Sequence, residues 1–262
     1  DSNHMRGQNV RAMGEDLERG QVVLEAGHRL APADLGLIAS LGIGEIRVFR
    51  KVRVAFFSTG DELRSIGEPL GPGEIYDSNR YTLFAMLQRI DAEIIDMGVV
   101  RDTREAVEAA LEQAAKVADA VITSGGVSVG EADYVKEVLN AIGEVSFWKV
   151  AMKPGRPLAF GMIGNAHFFG LPGNPVSVMV TFYQFVQPAL LKMAGNRQHT
   201  PLLCSARTTA VLKKRPGRTE YQRGILSRGE NGELLVSPTG DQGSGILRSM
   251  SVADCFLILP VE

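Results

Sequence analysis

Between Lys51 and Val150, apolar runs with strand spacing alternate with apolar stripes of helical spacing, and this alternation limits the possible folds more than any other feature of the chain. Val52 to Ser58, Ala92 to Met97, Ala118 to Thr123 and Glu144 to Val150 read as strands. Ser78 to Ile90, a segment from Asp102 or Thr103 to about Lys116, and about Asp133 to Ile142 read as the helices between them. Ser78 is a possible N-cap of the first helix; Ala106, Ala110, Leu111 and Ala114 share one face of the second. A strand that rejoins its sheet through a helix runs parallel to its predecessor, so the pattern predicts an α/β fold: a parallel, three-layer sheet with helices on both faces. In such sheets ligands bind beyond the carboxyl ends of the strands.

Leu158 to Phe160 and His167 to Phe169 flank Ile163-Gly164-Asn165-Ala166 and predict a hairpin closing the sheet. Asn174 suits an N-cap and Pro175 a first helical position. The apolar run from Val176 to Leu191 is broken by Gln184, Gln187 and Pro188, which makes it a core helix and not a membrane span. Past Gln198 the helical period ends. Short strands are expected at Ser205 to Leu212, Tyr221 to Leu226, Leu234 to Ser237 and Cys255 to Leu259, with turns at Pro216-Gly217 and Asn231-Gly232, as in a small β-barrel or sandwich. Before the alternation, a strand at Gln21 to Leu24 and a helix at Pro32 to Ser40 carry too little apolar surface to fold alone. The expected division is therefore 6–48, an appendage or remnant of an N-terminal region; 49–198, the α/β domain; and 199–262, the β domain.

The 28 basic and 30 acidic residues give a net charge of -2, so no overall basic field points to nucleic acid or a membrane surface. Anion binding must then be local. Cys204 and Cys255 are the only cysteines, too few for a secreted disulfide framework, and a cytoplasmic setting is expected. His28, His167 and His199 lack metal-ligand spacing and are assigned no chemistry.

The stretch Ala120-Val121-Ile122-Thr123-Ser124-Gly125-Gly126-Val127-Ser128-Val129-Gly130-Glu131-Ala132-Asp133 runs an apolar strand into a glycine-rich turn with a carboxylate at its rim. Gly125, Gly126 and Gly130 let the backbone approach a ligand and turn N–H groups toward it, and the helix that follows adds its positive end. A tight strand-to-helix connection would look the same. Thr59-Gly60-Asp61-Glu62 is either an ordinary loop or a pair of carboxylates for Mg²⁺; Asp102 and Asp133 are either helix caps or members of the same site. All three segments follow strands, so they converge at one edge. Lys149 and Lys153 lie four apart on an extended segment, which places both on one face among Trp148, Val150, Ala151 and Met152, and Arg156 follows closely. Partly buried cations there call for an anion, and a solvated strand end is the alternative.

Taken together the motifs resemble the molybdopterin molybdenumtransferase family, which includes bacterial MoeA and the gephyrin E-domain. The resemblance rests on Gly14-Glu15-Asp16, Ser58-Thr59-Gly60-Asp61-Glu62-Leu63, Ile75-Tyr76-Asp77-Ser78-Asn79, Ser124 to Tyr134, Lys153-Pro154-Gly155-Arg156-Pro157 and Gly170 to Ser177. The glycine turn alone is equally similar to molybdopterin adenylyltransferases and competence-damage-type hydrolases. The family resemblance implies insertion of molybdenum from molybdate into adenylated molybdopterin, with Mg²⁺ and with release of AMP. It implies acidic site residues at Glu62, Asp102 and Asp133 that also hold the metal, and basic ones at Lys149 and Lys153. Substrate contacts are implied at Gly125, Gly126, Ser128, Gly130, Pro172, Pro175, Ser177, Arg223 and Ser244. It further implies a homodimer, with a molybdopterin adenylyltransferase and molybdoenzymes as partners. The family's segments before Arg6 and after Val261 have no counterpart here, so full activity is expected to need a longer chain. A peptide-capturing assembly module, as in gephyrin, and an adenylyltransferase are the competing functions; the β domain and the lysine pair argue against the latter.

Overall fold

The computed structural model describes residues 5–126 and 134–261. Its first elements are α1 (Pro32–Ser40), β1 (Arg53–Thr59), β2 (Leu63–Arg64), β3 (Ile75–Tyr76), α2 (Ser78–Arg89), β4 (Glu93–Val100), α3 (Arg104–Val117), β5 (Ala120–Ser124) and α4 (Tyr134–Ile142). There follow β6 (Glu144–Lys149), β7 (Met152–Lys153), β8 (Pro157–Ile163), β9 (Ala166–Leu171), α5 (Pro175–Thr181), a π-helical turn (Phe182–Val186) and α6 (Gln187–Met193). The chain ends with β10 (Arg207–Thr208), β11 (Thr219–Arg228), β12 (Leu234–Pro238), α7 (Leu247–Ser251) and β13 (Cys255–Leu259).

A six-stranded sheet has the order β4-β1-β5-β9-β8-β6. β4, β1, β5 and β9 are parallel, as the alternation predicts, whereas β8 runs against both its neighbours. The reason is local: Gly164 and Asn165 are all that joins β8 to β9, far too few residues for a parallel crossover. Strand periodicity then sorts the core into two layers. Ala55, Phe57 and Val121 face α3 and α4 through Val107, Leu111, Val138 and Leu139. Val54, Phe56, Ala120 and Ile122 face Leu83 and Leu87 of α2 and the stripe Val178, Phe182, Val186 and Leu190. That stripe keeps its spacing of four through the π turn, where the Gln187 N–H bonds back to the Phe182 carbonyl. Pro188 has no N–H for Gln184 and its ring crowds that carbonyl, which accounts for the local unwinding.

From β1 the chain departs toward β4, and from β5 it departs toward β6 at the opposite edge. The carboxyl ends of these adjacent strands therefore form the topological switch point of the sheet, the usual place for a ligand crevice. Ser58 and Ser124 are register partners across it.

The later strands form a second sheet, β10-β12-β11-β13, in which β11 also pairs with β7 at Thr219 with Met152 and Glu220 with Lys153. The strand expected at Ser205 to Leu212 shrinks to Arg207–Thr208, and none forms at Gln21 to Leu24. Residues before β1 contribute little to the interior: α1 buries no side chain, and Val48 and Phe49 are 67% and 64% exposed.

Candidate active site

Three chain segments meet at the switch point because of how their ends are capped. Thr103, not Asp102, caps α3: its hydroxyl accepts from the Ala106 N–H at 3.3 Å. That releases the Asp102 carboxylate, whose Oδ1 accepts from the Thr59 hydroxyl at 3.3 Å. Asp77 and not Ser78 caps α2, accepting from the Arg80 N–H at 3.0 Å, so Ser78 occupies the first helical position. A carboxylate in this place is favoured by the helix dipole as well as by the bond.

Burial pushes the Asp102 carboxyl above its ordinary range; the Thr59 bond opposes this, and the charges of Asp61 and then Glu62 reinforce it. The two segments expected to converge, Thr59 to Glu62 and Asp102, thus share one electrostatic neighbourhood. The Glu62 carboxylate folds back over Gly60, where a Cβ would stand 2.7 Å from its Oε2. A carboxylate with two others in its neighbourhood suits a divalent cation with few protein ligands. Among the described residues, however, no group of three or more His, Cys, Asp or Glu side chains has metal-holding geometry.

The glycine turn begins beside Thr59. Gly125 has φ +92° and its Cβ would lie 2.6 Å from the Thr59 carbonyl oxygen; Gly126 has φ +67° and its Cβ would lie 2.4 Å from Val135 Cγ2. Both positions therefore require glycine on backbone and steric grounds. The Gly125 N–H donates to the Leu171 carbonyl at 3.2 Å, so it ties β5 to β9 and is not turned toward a ligand as the sequence suggests. Ser128, Gly130 and Asp133 lie outside the described residues.

The remaining expected residues are distributed around this edge. Pro172 is buried and Pro175 opens α5, as expected. Asn174 takes the N-cap position without a side-chain bond; instead the Val176 N–H donates to the Ser244 carbonyl at 3.1 Å, which brings the 240–244 loop onto the first turn of α5 beside the buried Ser177. Arg223 is 1% exposed, and burial pulls its guanidinium below its ordinary pKa. Its Nε donates to Ser249 Oγ at 2.9 Å and its Nη2 to the Gly243 carbonyl at 3.1 Å, so it braces that loop from behind.

The lysine pair corrects the sequence reading most clearly. The even-spacing argument needs one continuous strand, but β6 ends at Lys149 and β7 begins at Met152 after a reversal in which the Met152 N–H donates to the Val150 carbonyl. Trp148 is 57% exposed, so Lys149 stands at a solvated strand end. Lys153 does have its anion, supplied by this chain: Nζ lies 3.2 Å from Glu220 Oε1. Burial pushes Glu220 up, but hydrogen bonds from Gln222 and Lys153 and the lysine charge outweigh it and hold the carboxyl below its ordinary range. Periodicity could not reveal a partner 67 residues away on another sheet.

One residue with no role assigned from sequence completes the edge. Asn79, in the first turn of α2, donates from Nδ2 to Ser124 Oγ at 2.9 Å and to the Gly173 carbonyl at 2.7 Å. The one sequence signal for it was its place in the Ile75-Tyr76-Asp77-Ser78-Asn79 motif. A cavity of about 1010 Å³ lies elsewhere, at the amino ends of the strands, with mainly aliphatic walls including Val22, Ile38, Phe49, Ile90 and Leu190. The polar groups described above are not among its walls.

A mixed α/β sheet with a glycine turn and an acidic edge at its switch point defines an α/β protein with a candidate ligand crevice there, and comparison with known families narrows the class. Residues 55–192 match a probable molybdopterin binding domain, residues 205–262 the MoeA C-terminal region (domain IV), and residues 1–42 the MoeA N-terminal region (domains I and II). The chain belongs to the MoeA family of molybdopterin-binding proteins. It is 49% identical over 256 residues to the molybdopterin molybdenumtransferase of Haemophilus influenzae, covering 97% of this chain and 63% of that protein. To the molybdopterin molybdenumtransferase of Bacillus subtilis it is 34% identical over 255 residues, covering 97% of this chain and 59% of that one. The crystal structure of the molybdopterin biosynthesis MoeA protein from Pyrococcus horikoshii OT3 superposes with a TM-score of 0.75 at 30% identity, covering 95% of this chain and 59% of the other. The chain thus spans about 60% of the length of these relatives.

Proposed function

We propose that this chain carries the molybdenum-insertion site of a molybdopterin molybdenumtransferase, accepting adenylated molybdopterin and molybdate and releasing AMP, in the last step of molybdenum cofactor assembly. The observation that carries the reading is Asp102, held by Thr59 beside Asp61 and Glu62, next to a turn whose glycines cannot be replaced without collision. The nucleotide phosphate would lie over Gly125 and Gly126 toward Ser128 and Gly130. Glu62 and Asp102, with Asp133, would hold Mg²⁺, which when bound offsets charge on phosphate oxygens. Burial raises the Asp102 pKa and the charges of Asp61 and Glu62 add to it, and this closeness of carboxylates supports the donor set. Lys149 and the free donors of Lys153 would meet the molybdate oxyanion; Ser177, Ser244 and the loop braced by Arg223 would close its far side. Pro172 and Pro175 would fix the loop between them.

The division into 6–48, 49–198 and 199–262 is supported by the ranges of the three family matches, and we propose that β10 to β13 belong to a small barrel. A homodimer in the cytoplasm, in contact with an adenylyltransferase and with molybdoenzymes, completes the proposal. No helix among the described residues is long and apolar enough to cross a membrane. The test is to incubate the protein with adenylated molybdopterin and Mg²⁺ and follow AMP. Release that depends on added molybdate supports the reading; equal release without molybdate refutes it.

A further inference from the structure

Asn79 is 8% exposed, and both its donor bonds reach across loops: one to Ser124 at the end of β5, one to Gly173 in the turn between β9 and α5. The Gly173 carbonyl can only accept, which fixes the amide with nitrogen toward it and leaves Oδ1 buried without a partner among the described residues. Ser124 Oγ, 2% exposed, is the acceptor in its bond with Asn79. A serine hydroxyl that accepts still has one hydrogen to give. Among the described residues no hydrogen bond takes it. Ser124 immediately precedes Gly125 and Gly126, so the unspent donor sits where the strand enters the glycine turn.

We infer that Asn79 is a positioning residue of the anion site: it clamps the Leu171 to Pro175 loop to the end of β5 and orients Ser124 so that its hydroxyl donates to a phosphate oxygen of a bound nucleotide. The inference rests on the glycine turn being a phosphate site, as proposed above. The choice of asparagine follows from the chemistry. Only a primary amide at this place can donate twice, once to a carbonyl and once to a hydroxyl, without bringing a charge that would repel the anion. Without the amide, the Ser124 hydroxyl would lose the bond that fixes its rotation, and its hydrogen would no longer be held toward the ligand.

AMP is the probe, with affinity measured by calorimetry on the wild type, Ser124→Ala, Asn79→Leu and the double variant. Loss of a hydrogen bond to a charged group corresponds to about ten-fold in affinity. Each single variant is expected to bind AMP about ten-fold more weakly, and the double variant no more weakly than about ten-fold, because both remove the same donor. Melting temperature is followed in parallel. A purely structural Asn79 would lower the melting temperature and leave AMP affinity within two-fold, which overturns the inference, as does a double variant weakened by about a hundred-fold. Asn79→Ala runs the same cycle if the leucine variant does not fold. If the wild type itself does not bind AMP, the phosphate reading of the turn falls and the inference with it; if only the variants behave as wild type, the inference alone falls.

Discussion

Gly125 and Gly126 should respond differently to the same added methyl group, because different kinds of atom obstruct it. At Gly126, alanine would hold a φ of +67°, a left-handed conformation costing about 1–2 kcal/mol. Its Cβ would press on Val135 Cγ2 at 2.4 Å and Thr59 Cγ2 at 3.1 Å, and overpacking of this kind costs about 1–3 kcal/mol. The sum is about 2–5 kcal/mol. At Gly125 the φ is +92° and the obstacle is the Thr59 carbonyl oxygen at 2.6 Å, backbone at the end of β1 that is held in register with Val100 of β4.

Shortening Val135 separates the two cases. Val135→Ala alone removes two buried methyl groups at a cost of about 1–3 kcal/mol. Combined with Gly126→Ala it also removes the closest collision, leaving Val135 Cβ at 3.0 Å and Thr59 Cγ2 at 3.1 Å, so the pair should cost less than its parts by about 1–2 kcal/mol. Combined with Gly125→Ala it should be additive within about 0.5 kcal/mol. Urea unfolding followed by far-ultraviolet circular dichroism gives the six unfolding free energies that the two cycles need. Additivity in both cycles, or alanine tolerated at both glycines, would refute the account of why the turn is glycine.

Lys153→Ala should cost about 1–2 kcal/mol in the same assay, since it leaves Glu220, 3% exposed, without its cation, whereas Lys149→Ala should fall within about 0.5 kcal/mol of wild type; equal losses would contradict the assignment of partners. The folded Asp102 carboxyl lies above its unfolded value, so the cost of its charge is absent in acid and complete once the pH passes the folded pKa. Asp102→Asn should therefore raise the melting temperature at pH 7, with the gain vanishing toward about pH 4, while molybdate-dependent AMP release falls; an unchanged or lower melting temperature at pH 7 would be contrary. Asp119 behaves in the opposite sense: bonds from Arg50 first, then from the backbone and side chain of Arg53, outweigh its burial and hold it far below the usual range. Asp119→Asn should lower stability at neutral pH, and the gap from wild type should close as the pH falls from about 4, because the stabilisation is lost on protonation; a gap independent of pH would refute the ion pairing.

Local features of the sequence carried most of the fold. Pro32 to Ser40, Ser78 to Arg89 and Cys255 to Leu259 were legible from nearby residues: a proline at a first turn, a polar residue at the start of a helical stripe, although Asp77 and not Ser78 proves to be the cap, and a short apolar run. The direction of β8 was legible only as a hairpin, and that hairpin makes the sheet mixed. What stayed hidden depended on distant partners. Glu220 answers Lys153 through the pairing of β7 with β11, and the capping competition between Asp102 and Thr103 is decided by Thr59, which offers the aspartate another bond. Arg223 reads as a surface residue because nothing near it in sequence announces Ser249 and Gly243.

The two ends of the central sheet differ in how far their polar groups are satisfied. At the amino end, Asp119 is fully engaged: Arg50 grips both its oxygens at 2.6 and 2.7 Å and the Arg53 N–H donates at 2.8 Å. At the carboxyl end, Ser58 Oγ, Asp77 Oδ2, Asn79 Oδ1 and Thr123 Oγ1 are buried without partners, four of the seven such atoms among the described residues. Each would ordinarily cost about 1–3 kcal/mol, a loss that random placement would spread across the molecule. Ser58 and Thr123 belong to the ends of β1 and β5, where Asp102 is also held at a raised pKa by burial, so unsatisfied polar atoms gather toward the switch point between these strands. An anion bound there with its counter-cation, as proposed above, would bring hydrogen-bond partners to polar atoms that the described residues leave without any.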